Sequence, residues 1–116
     1  MELVALLSSG KGSWAQIAGL IKNGEWEKII LLGDKFAEKF TCEKPFEFIN
    51  INLEQPIAVL KDEFLKKLKD KFSGLEVALS IASGTGKEHM ALISALLSVP
   101  VGVKFIALTK DGIIEF

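Results

Sequence analysis

The sequence predicts an α/β fold: a doubly wound, Rossmann-like parallel sheet of strand order 3-2-1-4-5, closed by a C-terminal antiparallel hairpin strand. Three observations carry this expectation. Short apolar runs at residues 2–7, 28–32 and 77–82 are bounded by turn residues, as strands buried on both faces are. Segments with helical apolar spacing alternate with those runs, which is the pattern of strand–helix–strand units. The chain then finishes on an apolar run at 103–108, the turn Thr109-Lys110-Asp111-Gly112, and a second apolar run at 113–116. Asp-Gly between two such runs is a hairpin signal.

Each element has its own reason. Residues 2–7 form the first strand; Glu2 stands where a signal peptide would carry positive charge, so no export signal is expected. Trp14, Ile17, Ala18 and Ile21 follow i, i+3, i+4, i+7 spacing and give a helix one apolar stripe, with Gly24 ending it. A short helix is expected over 35–40. The segment "FEFININ", residues 46–52, mixes polar and apolar residues, which suits an edge strand. Pro56 opens a second helix, where its missing N–H does no harm. Ile57, Leu60, Phe64, Leu68 and Phe72 are expected on its buried side, and Lys61, Asp62, Lys66, Lys67 and Lys69 on its solvated side.

The bulk numbers set limits on function. The 116 residues suit one domain, residues 1–116, with one continuous core. Hydrophobic residues make up 49% and charged residues 25%, which excludes disorder. No apolar run approaches the roughly 20 residues of a membrane span, so no membrane partner is expected. Cys42 is the sole cysteine and permits no internal disulfide, which fits a cytoplasmic location. The net charge of −1 argues against duplex DNA as a partner. All basic residues are lysine, so an anion site would rely on lysine and backbone N–H groups.

Two loops carry the candidate site. The first strand is followed by Ser8, Ser9, Gly10, Lys11, Gly12 and Ser13; the fourth is followed by Ser83, Gly84, Thr85, Gly86 and Lys87. Both contain S-G-x-G, and both lead from an apolar strand into a helix. The expected strand order places them side by side at the switch point, where open α/β sheets bind ligands. Glycines let a ligand approach the backbone, and helix N-termini present free N–H groups to an anion. The candidate ligand-binding residues are therefore Ser8, Ser9, Gly10, Lys11, Ser13, Ser83, Gly84, Thr85, Gly86, Lys87 and the flanking His89. The same residues also have a purely structural reading. Ser13 with Gln16, and Thr85 with Glu88, each have the spacing of a capping box.

Established nucleotide motifs are not met. Ile81 occupies the first glycine position of a P-loop, and Glu88 follows Lys87. G-x-G-x-x-G is matched only with Ala15 at its third position, and Gly33 rather than an acidic residue ends the second strand. One histidine and one cysteine do not make a zinc site, so no metal or other cofactor is expected. No serine sits in G-x-S-x-G.

Leu7-Ser8-Ser9-Gly10, together with "SGTGKEHM" at residues 83–90, resembles the CRISPR-associated Rossmann-fold (CARF) sensor domains. The resemblance spans nearly the whole chain in topology and rests on these two short motifs. It implies a homodimer that binds cyclic oligoadenylate across its axis, with Ser8, Ser9, Gly10, Ser83, Gly84, Thr85 and Lys87 as contacts and Met90 in packing. Some members of that family also cleave the ligand, so a metal-independent ring nuclease is an alternative, as is an interaction subunit with no small-molecule ligand. The family's adjacent glycine pair is split here into Gly84-Thr85-Gly86. "SSGKGS" also resembles the ATP-pyrophosphatase loop S-G-G-x-D-S, with Gly12 in place of the aspartate.

Overall fold

The computed structural model describes residues 1–8 and 13–116. Strands β1 (Glu2–Leu7), β2 (Lys28–Gly33), β3 (Glu47–Asn50), β4 (Glu76–Ser80), β5 (Gly102–Thr109) and β6 (Gly112–Glu115) form one sheet, in the order β3-β2-β1-β4-β5-β6. The first five strands run parallel, and β6 returns antiparallel to β5. Helices α1 (Trp14–Asn23), α2 (Ile57–Leu68) and α3 (Gly86–Ser98) complete the domain, with a 3-10 turn at Lys35–Lys39.

Period-2 alternation along β1 explains the layering. Leu3, Ala5 and Leu7 point to one face, where Ile17, Leu20 and Ile21 of α1 cover them together with Ala37 and Phe40. Val4 and Leu6 point to the other face, beneath Leu60, Phe64 and Leu68 of α2 and Ala91, Leu92, Ala95 and Leu96 of α3. All six β1 residues are buried, as a central strand covered on both sides requires. Among the described residues, no helix is long and apolar enough to cross a membrane.

Several boundaries move from their expected places. The fourth strand stops at Ser80, leaving Ile81 and Ala82 in an exposed turn; β3 is shorter than 46–52. Ile57 is 39% exposed, because it opens α2 ahead of the buried stripe. Phe72 lies beyond the end of α2 and is half-buried against its core. Pro56 is the residue before the helix, not its first turn. The closing turn behaves as expected: Thr109 pairs with Gly112 across Lys110 and Asp111, and Gly112 takes the positive φ of +108° that the bend needs.

Candidate functional site

The carboxyl ends of β1 and β4 are neighbours, with Ala5 opposite Ser80. Beyond them the two turns are joined directly. The Ser8 N–H donates to Ser83 Oγ at 3.0 Å, and the Trp14 indole N–H donates to the Ser8 carbonyl at 2.8 Å. Ser83 is only 1% exposed. Its hydroxyl therefore serves first as an acceptor that ties one turn to the other. Trp14 is positioned in turn by Phe36 and Phe40, with ring centroids 5.7 and 5.9 Å away. Ser9, Gly10 and Lys11 lie outside the described residues.

The start of α3 follows the capping box in full. Thr85 Oγ1 accepts from the Glu88 N–H at 3.2 Å, and the Glu88 carboxylate accepts from the Thr85 N–H at 2.9 Å. The Glu88 carboxylate is thereby held inward, and the residue is buried. The first-turn N–H groups of Gly86 and Lys87 have no acceptor inside a helix by geometry. Together with the N–H of Gly84, they donate to no acceptor among the described residues. The Gly86 and Lys87 donors lie at the positive end of the α3 dipole, with the Gly84 N–H two residues before the helix.

Gly84 has φ +114°, a conformation that L side chains avoid. A Cβ there would also fall 2.5 Å from Leu6 Cδ2 and 2.9 Å from His89 Nε2. By contrast, a Cβ on Gly86 would meet nothing within 4 Å. The His89 Nε2–H donates to the Ser83 carbonyl at 2.7 Å. A carbonyl only accepts, so Nε2 carries the proton. Lys87 is exposed, and its ammonium donates to the Gln55 carbonyl at 2.9 Å, in the loop between β3 and α2. Gln55 is held in turn by Asn52 and Glu63.

The capping box expected at α1 does not form. Ser13 adopts helical backbone angles and makes no side-chain cap. The Gln16 carboxamide instead accepts from the Leu108 N–H at 2.7 Å, on β5. The sequence reading of the site missed Trp14 and Gln55. By spacing Trp14 belongs to an apolar stripe, and its indole N–H is the sign in the sequence of a second role. Nothing in the local sequence marks the Gln55 carbonyl. Among the described residues, no three His, Cys, Asp or Glu side chains are grouped as metal ligands.

No family model and no curated protein matches the chain. Among solved structures, the chain is similar to Enterococcus italicus Csm6 bound to cyclic hexa-2'-fluoro-hexa-dAMP, with a TM-score of 0.59 at 14% sequence identity. The match covers 95% of this chain and 34% of Csm6, so the chain spans about a third of that protein's length. At this identity the likeness is one of fold alone.

Proposed function

We propose that the chain is a binding module for a nucleotide-type anion, a cyclic oligoadenylate, held at the crevice between the turns after β1 and β4. The observation that supports this most is the juxtaposition of the two turns. The Ser8–Ser83 hydrogen bond holds them together beside the N–H groups of Gly84, Gly86 and Lys87, which meet no acceptor among the described residues. The likeness in fold to a protein bound to a cyclic hexanucleotide adds the ligand class. Lys87 supplies the flexible cation, and an arriving phosphate competes with the Gln55 carbonyl for it.

Binding without cleavage is the first reading, and a ring nuclease is its alternative. A nuclease acting on this ligand without metal needs a base at the ribose 2′-hydroxyl. His89 is the sole histidine; its Nε2–H is given to the Ser83 carbonyl, so Nδ1 is the imidazole nitrogen left to take a proton in the alternative. Incubation with cyclic hexaadenylate, followed by chromatography of the recovered ligand, tests the reading. Ligand retained and recovered intact is the expected result. Linear fragments would replace the reading with the nuclease, and no retention would leave an interaction subunit.

The module is read as a twofold homodimer joined through α3. Met90 and Leu97 on its outer side are 63% and 58% exposed, and Ile93 beside them is half-buried. From Met90 to Val103 the chain carries no charged residue. A solvent-facing helix side without charge is the mark of a covered surface. A twofold contact sets the same patch against itself, and Lys61 and Asp62 of α2, which line the groove beside Met90, offer charges of both signs for it to pair. Light scattering should give twice the chain mass at micromolar concentration and above; a monomer throughout would remove the dimer.

A further inference from the structure

We propose that His89 is a positioning residue of this site, acting through the Ser83–Gly84 peptide; this rests on the anion-binding reading above. In a trans peptide the carbonyl and the following N–H lie in one plane and point in opposite directions. The His89 Nε2–H holds the Ser83 carbonyl at 2.7 Å. That bond orients the whole plane, so the Gly84 N–H points away from the ring, where it meets no acceptor among the described residues.

The plane needs such a restraint. Glycine at 84 accepts either sign of φ, so the peptide can turn over at little steric cost once its carbonyl is released. A turned peptide would present the Ser83 oxygen, a partial negative charge, where the Gly84 N–H had been. The site would then lose a donor and gain a repulsive acceptor. The Ser83 side chain does not prevent this by itself, because its bond to the Ser8 N–H is made through Oγ, beyond the rotatable side-chain bond. Glu88 and Thr85 fix the next peptide and the helix start, not this one. His89 therefore adjusts donor geometry and need not touch the ligand.

The test compares wild type with His89→Leu, which keeps bulk and removes the donor, and with His89→Gln, whose amide nitrogen restores a donor at similar reach. Cyclic hexaadenylate is titrated calorimetrically, and the backbone amides are followed by 1H–15N NMR with and without ligand. The expected result is about tenfold weaker binding by His89→Leu, the scale of one hydrogen bond to a charged group, with recovery in His89→Gln. In wild type the ligand should shift the Gly84 amide together with those of Gly86 and Lys87. In His89→Leu the Gly84 response should be lost while the other two remain.

Equal binding by wild type and His89→Leu would overturn the role of His89 and leave the anion site standing. Equal weakening in both variants would also overturn it, because the ring itself would then be the contact. Absence of binding by wild type would overturn both readings. Should His89→Leu fail to fold, His89→Gln carries the test: a wild-type Gly84 amide shift and wild-type affinity support positioning, and a loss of either removes it.

Discussion

The starts of α1 and α3 carry the same sequence pattern and come out differently. Both have a hydroxyl residue followed three positions later by Gln or Glu, Ser13 with Gln16 and Thr85 with Glu88. At α3 the two side chains close on each other's backbone. At α1 Gln16 leaves its own helix and takes the Leu108 N–H on β5. The difference lies in what competes for the side chain. Glu88 has its N-cap amide at hand and a helix dipole that favours its negative charge. Gln16 is neutral, lacks that attraction, and lies against a strand with a donor to offer. A capping box in sequence is therefore a statement about two local partners, and a third from elsewhere in the fold can displace it.

Substitutions around these two starts sharpen the contrast. The largest effect is expected from Gly84→Ala. The positive φ and the close approach to Leu6 and His89 should together cost about 2–4 kcal/mol in denaturant unfolding. Gly86→Ala, two residues on, has open space and should be neutral or slightly stabilising, by about 0.4–1 kcal/mol. Equal losses at both positions would show that the Gly84 conformation has been misread.

Ser83→Ala should come next. It leaves the Ser8 N–H without its acceptor beside a residue that is almost fully buried, and the expected loss is about 1–3 kcal/mol. Faster hydrogen exchange of the Ser8 amide is the accompanying sign. An unchanged melt and an unchanged Ser8 amide would mean that the two turns are held together by the sheet alone.

Removing the caps then measures the comparison itself. Thr85→Ala should cost about 1 kcal/mol by loss of an N-cap. Ser13→Ala should cost no more than about 0.5 kcal/mol as a cap, since that side chain makes no capping bond. Equal costs measured by thermal melts would erase the distinction between the two starts. Lys87→Met should have the smallest effect on stability, under about 0.5 kcal/mol, because its bond to the Gln55 carbonyl is exposed. Its effect on cyclic hexaadenylate binding should instead be about 1.5–3 kcal/mol. Wild-type affinity in that variant would reduce Lys87 to a tether of the β3–α2 loop.

Strand order was legible in the sequence because local patterns decide it. Apolar runs without alternation mark the central strands, and the polar residues of "FEFININ" mark an edge; both assignments hold in the sheet. The Thr85–Glu88 box was legible because every group in it lies within four residues. What the sequence did not yield are contacts between distant segments. The Ser8–Ser83 bond spans 75 positions, Gln16–Leu108 spans 92, and Lys87–Gln55 spans 32. Each joins groups with no periodicity to connect them, and in each bond one partner is a backbone atom of a kind that every residue possesses. Ser83 and His89 were marked as candidate contacts; the structure brings them together through the Ser83 carbonyl, a link that the residue types alone do not specify.

The sheet has short borders. β3 and β6 are four residues each, and each border strand carries a glutamate engaged by a lysine: Glu47 by Lys71, and Glu115 by Lys104 at 3.6 Å. A brief strand decorated with charge is a poor template for another strand, which would have to desolvate those side chains for few ladder bonds. Growth of the sheet from copy to copy, the route to fibrils, is thereby discouraged at both ends. Any association between copies is thereby steered away from the strand borders.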